Sequence, residues 1–198
     1  MHCCQINLIY SIIDSFIMSI DQTSVTAIMA KNVELASDDQ NIQNICQKMY
    51  EKKIGSIIIV EEELFNESEN ISFERKEDNL LYNAGIITER DIVRFLGSGS
   101  ILKFSLAGEI MSKPLITINS TNSIKDALEY MNLKNIKRIP ILDSNDHIIG
   151  IISFTDIVRY LIQTINQSPL LIENQIPLYD ESFINKLNEV WSHDYLPF

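Results

Sequence analysis

Cations are scarce in this chain: 16 of its 198 residues are Lys or Arg against 27 Asp or Glu, for a formal charge of −11. A phosphate backbone is neutralised by clustered Lys and Arg, so this balance argues against a nucleic-acid partner, and an anionic small ligand would need a local pocket of positive charge. Cysteine is almost absent. Cys3, Cys4 and Cys46 show no metal-type spacing and read as reduced thiols of a cytoplasmic protein. The neutral-pH bases are limited to His2, His147 and His193, and His147 follows Asp146 in a turn, where it is expected to be solvated. There is no Gly-rich phosphate loop and no His and Asp paired near a nucleophile, so an enzymatic reading finds little support. The longest apolar stretch, from Ile6 to Ile20, has no Lys or Arg before it, contains Asp14 and is short for a membrane span. A signal peptide or anchor is therefore not expected. Two readings stay open: a helix packing on the rest of the chain or on a partner, or an over-long start with Met18 as the true first residue.

What the chain does have is a duplication. Gly85-Ile86-Ile87-Thr88-Glu89-Arg90-Asp91-Ile92-Val93-Arg94 returns as Gly150-Ile151-Ile152-Ser153-Phe154-Thr155-Asp156-Ile157-Val158-Arg159. Ahead of each copy lies one apolar helix face: Ile42, Ile45, Cys46 and Met49 in the first, Ile124, Ala127, Leu128 and Met131 in the second. Met29 and Met111, Ile42 and Ile124, and Ile59 and Ile141 are 82 apart, whereas Gly85 and Gly150, and Asp91 and Asp156, are 65 apart, so the first copy carries 17 extra residues. The insert, about 61–79, is rich in acids and reads as a solvated loop joining two strands. With 45% hydrophobic residues, the chain can bury a core as one compact unit or two small halves.

Each copy reads as short strand, helix, strand, strand, helix. In the second, Leu115 to Ile118 is extended, and Ser123-Ile124-Lys125-Asp126 resembles a capping box opening a helix to about Leu133. Arg138 to Leu142 and Ile148 to Ser153 read as strands joined by the turn Asp143-Ser144-Asn145-Asp146, and the last helix starts near Thr155. Ile57-Ile58-Ile59-Val60 is apolar without alternation, which predicts a strand covered on both faces. Beyond Gln163, Pro169, Pro177 and Pro197 punctuate a tail in which Phe183, Leu187, Val190 and Trp191 share helical spacing.

This ordered set, with Ile28-Met29 and Ile110-Met111 opening the copies and Lys137-Arg138-Ile139-Pro140-Ile141-Leu142-Asp143 in the middle of the second, resembles a tandem pair of cystathionine-β-synthase-type (CBS) domains, or Bateman module, over roughly residues 23–162. The resemblance implies an α/β (α+β) fold of two pseudo-symmetric repeats, each a small three-stranded sheet flanked by two helices, packed sheet to sheet. It divides the chain into an N-terminal apolar helical extension at 1–22, repeats at 23–97 and 105–162, and a tail at 163–198, helical near 180–192. It further implies a non-catalytic regulatory module that binds AMP, ADP, ATP or an adenosyl compound such as S-adenosylmethionine in two clefts, and that forms a homodimer.

On that resemblance, cleft A combines Thr88, Arg90 and Asp91 with Lys137, Arg138 and the backbone near Leu115 and Ile116. Ile86, Ile139 and Pro140 are its candidate walls. Cleft B combines Ser153, Thr155 and Asp156 with Gly55, Ser56 and the segment around Lys31 and Asn32. In each cleft the Asp would accept both ribose hydroxyls, while Thr88 or Ser153 and the helix N-terminus meet phosphate. A bland alternative stands beside this reading: Thr or Ser followed three residues later by Asp at a helix start is also a capping box. Cleft B has Glu34 and Leu35 where the second copy has Ile116 and Thr117, and no Arg at Ser56, so nucleoside-like or no occupancy is expected there. The competing function is a ligand-free dimerisation or interaction module.

Overall fold

A computed structural model of the chain describes residues 20–61, 75–76 and 80–166. The N-terminal apolar stretch before Ile20, most of the insert and the tail beyond Asn166, for which the sequence carries expectations, lie outside the described residues. The described residues form two compact bodies, one made of 20–29, 120–139 and 152–166, the other of 30–61, 75–76, 80–119 and 140–151.

In the second body, β1 (Leu35–Ser37) runs parallel to β2 (Ser56–Val60), and β2 pairs antiparallel with β5 (Ala84–Thr88) in the register Ser56↔Thr88 to Val60↔Ala84. The expectation for the unalternated run is met, since residues 57–60 are all buried. Alternate side chains of β2 enter two different cores. Ile57 and Ile59 join Ile45 and Met49 of α1 (Ile42–Lys52), with Ile87 and with Ala107 of α3 (Ala107–Ile110). Ile58 and Val60 join Leu81, Ala84, Leu115 and Leu142, with Ile148 packed against them. The second of these cores seats the first copy's sheet on residues of β8 (Arg138–Leu142) and β9 (Ile148–Ser153), which follow β7 (Ile118–Asn119) in a three-stranded sheet. Asn41 caps α1 by accepting from the Gln43 N–H at 2.8 Å, and Lys53 ends it in the left-handed region at φ 52°.

Two details depart from the sequence reading. Leu115 to Ile118 is not one strand: β6 (Leu115–Ile116) pairs with β4 (Leu80–Leu81), and β7 pairs with β8, with Thr117 fully buried at the break. The insert is also not loop throughout, because β3 (Arg75–Lys76) pairs with β4. These residues lie past most of the insert's acidic positions and next to the apolar Leu80 and Leu81, so strand pairing resumes there.

The first body contains α4 (Ile124–Lys134) and α5 (Phe154–Asn166), which pack on each other. The predicted box at the start of α4 is present: Ser123 Oγ accepts from the Asp126 N–H at 3.1 Å, and Asp126 Oδ2 accepts from the Ser123 N–H at 2.8 Å. Residues 20–29 dock on these helices. Ile124 N donates to Thr23 O at 2.9 Å, Val25 N to Asn122 O at 3.0 Å, and Thr23 Oγ1 meets the Tyr160 hydroxyl at 2.9 Å. The second body repeats this with the copies reversed: Ile42 N donates to Ser105 O at 3.0 Å, and Ala107 N to Gln40 O at 2.8 Å. The segment leading into each copy is thus spent on the first helix of the other, so the bodies cut across the sequence repeats.

Truncating Ile59 to Ala leaves a hole between α1 and the sheet and should cost about 2–5 kcal/mol, read as a lowered urea midpoint with an unchanged m-value. Ser123→Ala should cost about 1 kcal/mol through the lost cap. The Ser123 backbone N–H, more than any other group, holds the Asp126 carboxyl below its ordinary value of 3.8 against the opposing effect of burial. A lowered folded pKa gives stability that is complete above the ordinary value and is lost as pH falls through the lowered one. Asp126→Asn should therefore be less stable at pH 7 and flatten the acid limb of a pH–midpoint curve; an unchanged limb would refute the assignment.

Candidate functional site

The chemistry collects at the two corners where the last strand of each copy turns into a helix. In the second body β5 ends at Thr88, the N-cap of α2 (Glu89–Gly97), and Asp91 is the third residue of that helix. Asp91 is 8% exposed. Its Oδ2 accepts from the Thr88 N–H at 2.9 Å and from Thr88 Oγ1 at 2.6 Å. Its Oδ1 has looser company, Ser112 Oγ at 3.4 Å and Arg94 Nη1 at 3.8 Å. The capping alternative is therefore real, but it occupies one carboxylate oxygen. A carboxylate offers about four lone-pair positions, so Oδ1 retains room for further donors. The Thr88 hydroxyl gives its proton to Asp91, which leaves it none to give a phosphate oxygen.

In the first body the same corner recurs. Asp156 Oδ2 accepts from the Ser153 N–H at 2.9 Å and from Ser153 Oγ at 2.5 Å, and Ser153 Oγ accepts in turn from the Asp156 N–H at 3.2 Å. Here Oδ1 is held more tightly, by Arg159 Nη1 at 3.2 Å.

Ser112 reaches Asp91 because of a close backbone crossing. Ile86 N donates to Ser112 O at 3.0 Å, and Ser112 N to Ile86 O at 2.9 Å. The neighbouring residue is Gly85 for a steric reason: a Cβ there would lie 2.7 Å from Met111 Sδ and 2.9 Å from Ser112 O. The duplication makes the crossing twice, since Ala30 and Ile151 exchange the same two bonds at 2.9 Å. Offsets of 82 and 65 carry Ala30 onto Ser112 and Ile86 onto Ile151.

Of the other sequence candidates, Arg90 and Lys137 are exposed and Arg138 is half-buried, while Ile139, Pro140 and Leu115 are buried. Lys137, Arg138 and Ile139 belong to the first body with Ser153, Thr155 and Asp156; Pro140, Leu115 and Ile116 belong to the second with Thr88, Arg90 and Asp91. The backbone of Leu115 and Ile116 is in register with Leu81 and Leu80. Gly55 and Ser56 adjoin the Asp91 corner of their own copy, because β2 and β5 are antiparallel neighbours: Ser56 faces Thr88, and Gly55 O accepts from the Glu89 N–H at 3.4 Å. Lys137 O likewise accepts from Phe154 N at 2.8 Å, beside Asp156. Lys31 and Asn32 are exposed. Glu34 is engaged, with Lys48 Nζ at 3.3 Å and Lys52 donating to it, and the Lys52 hydrogen bond above all holds its carboxyl below the ordinary range. Cys46 is half-buried on α1, and burial pushes its thiol up.

Sequence reasoning missed Ser112, Arg94 and Arg159 as carboxylate partners. The two arginines stood in plain view, three residues after each Asp in the duplicated decapeptide, a spacing that places them on the same helix face. Ser112 had only its position after Met111 to mark it.

The CBS domain family model matches residues 107–163. An uncharacterized protein of Methanopyrus kandleri, MK0525, is 33% identical over 148 residues, covering 73% of this chain and 67% of that protein. The CBS domain-containing protein YhcV of Bacillus subtilis is 28% identical over 136 residues, or 68% of this chain and 83% of YhcV. The crystal structure of the CBS domain pair of protein MJ0100, solved in complex with 5′-methylthioadenosine and S-adenosyl-L-methionine, superposes with a TM-score of 0.55 at 23% identity, covering 72% of this chain and 98% of that one. The duplicated α/β fold with a capped Asp at each strand-to-helix corner is that of a CBS domain pair. The chain belongs to the CBS domain family. Among the described residues no helix is long and apolar enough to cross a membrane.

Gly85→Ala must displace either Met111 or the backbone of Ser112. It should cost about 1–3 kcal/mol in denaturant midpoint, a penalty expected of overpacking at a backbone crossing. An alanine variant as stable as the parent would show that the crossing is not close-packed in solution.

Proposed function

We propose that the chain is a non-catalytic regulatory module whose unit of function is the pair of copies, residues 23–97 and 105–162, and that it binds an adenine nucleotide or adenosyl compound at the Asp91 corner. The observation that carries this reading is the division of labour on Asp91: one oxygen closes the helix cap and the other, facing only long contacts, is left to accept hydroxyl donors. The two adenosyl compounds in the MJ0100 complex support the ligand class. Thr88 positions the carboxylate, and the α2 N-terminus favours negative charge nearby. Phosphate, where the ligand has one, falls to Arg90, the exposed cation of the same corner, since the Thr88 proton is committed. At the Asp156 corner, Arg159 donates to the corresponding oxygen at 3.2 Å, a closer contact than either on Asp91 Oδ1, which favours occupancy of the Asp91 corner first. A ligand acts by shifting a population of arrangements of the copies or of a homodimer, limited by its difference in affinity for them.

A second reading, a ligand-free interaction module, has one observation in its favour. Val93 on α2 is 68% exposed, and Phe104, beyond the end of that helix, is 76% exposed. Thermal shift across AMP, ADP, ATP, S-adenosylmethionine and NAD separates the two. The proposed function expects saturable stabilisation by at least one adenosine compound, weakened about ten- to a hundredfold in Asp91→Ala, the loss of charged hydrogen bonds. Asp156→Ala, which loses an equivalent cap at the other corner, should leave that affinity nearly intact. Stabilisation by none of the five, or an equal loss in both variants, would overturn the proposal.

A further inference from the structure

Resting on the Asp91 reading, we propose that Ser112 is a specificity-determining ligand contact: its hydroxyl and Asp91 Oδ1 together receive the vicinal hydroxyls of a ribose, so that the site rejects deoxyribose. Ser112 is exposed, yet its Oγ stands 3.4 Å from Oδ1 of a buried carboxylate. That separation is long for an O–H···O bond, so the contact is weak and leaves Oδ1 capacity for a further donor. Asp91 Oδ2 is already taken by two donors from Thr88. A serine hydroxyl donates once and accepts through two lone pairs. Its proton therefore stays directed at Oδ1 while its lone pairs take one ribose hydroxyl, and Oδ1 takes the other.

The position of this hydroxyl is fixed by the main chain. Both backbone bonds to Ile86 and the steric fit of Gly85 under Met111 and Ser112 set where residue 112 lies. The duplication supplies a control in its own sequence, for the residue that corresponds to Ser112 is Ala30, which has no hydroxyl. The second such contact is thus missing from the other copy, and the two corners differ at the atom that would discriminate ribose. A site built to accept a ligand hydroxyl rejects the analogue without it, because its own polar groups are left unpaired.

The test is calorimetric titration of the whole chain and its Ser112→Ala and Ser112→Thr variants with AMP, 2′-deoxy-AMP and 3′-deoxy-AMP. The unmodified chain should prefer AMP over both deoxy forms. Ser112→Ala should weaken AMP about three- to tenfold, the worth of one neutral hydrogen bond. It should leave one deoxy form unchanged, so that the discrimination against that form collapses while the melting temperature without ligand holds. Ser112→Thr, which keeps the hydroxyl, should retain the preference. Discrimination unaltered in Ser112→Ala, with AMP binding still lost in Asp91→Ala, overturns this inference and leaves the proposed function standing. An unmodified chain that binds none of AMP, ADP, ATP, S-adenosylmethionine and NAD overturns both.

Discussion

The exchange of leading segments is the constraint on which the rest of this structure depends. Thr23 and Val25 satisfy the backbone at the start of α4, and Ser105 and Ala107 do the same for α1 and the turn before it. The first N–H groups of a helix have no partner within the helix, so each copy leaves donors that only an outside carbonyl can meet. Here the carbonyl comes from the sibling copy. Neither repeat can complete its first helix alone, and the duplication is held together by the requirement that buried backbone groups be paired.

The same economy explains why the two corners look alike and behave differently. Duplication preserves what the backbone needs: an Asp that accepts from the Thr88 or Ser153 N–H, and a strand crossing made by Ile86 with Ser112 and by Ile151 with Ala30. It does not preserve what the backbone does not need. Side chains that merely border the carboxylate are free to diverge, as Ser112 has from Ala30, while Arg94 and Arg159 are the same residue set 3.8 Å and 3.2 Å from their carboxylates. Differences at positions without a folding duty are where function is expected to be written. Charge follows the same logic. In a chain of net charge −11, Glu34, which the sequence reading placed near a ligand cleft, is neutralised by Lys48 and Lys52. A carboxylate bound by two ammonium groups repels an anion far less than a free one.

Much of this was legible in the residues because it rests on local rules. The unalternated Ile57–Val60 run marked a strand covered on both faces, and Ser123 with Asp126 announced a capping box that is present bond for bond. The corners were visible as Thr88 to Asp91 and Ser153 to Asp156. The exchanged leaders were hidden because their bonds are main chain to main chain, which any residue can make and which leaves no trace in side-chain identity. The split of Leu115–Asn119 into strands of two sheets was hidden for a related reason: a short apolar run states that it is buried but not which neighbour it pairs with. Ser112 was missed because its role depends on the Gly85 crossing, and a sequence shows a glycine without showing what presses against it.

That crossing also bears on how a binding event at Asp91 would be felt elsewhere. Ser112 carries two duties on one residue, its backbone bonded to Ile86 of β5 and its hydroxyl turned to Asp91 at the start of α2. A group that draws Ser112 Oγ and Asp91 Oδ1 towards itself pulls on the strand and on the helix together. With a sulfur and a carbonyl oxygen within 3 Å of where a Gly85 side chain would begin, there is little slack to absorb the pull locally. Packed interiors transmit such displacements rather than damping them. Met111, which sits against Gly85 and packs on the core formed by Ile45, Met49, Ile57 and Ile59, is the next element to receive it. A thioether is flexible enough to fill an irregular gap, and Met111 thereby joins the Gly85 crossing to the core against which α1 packs.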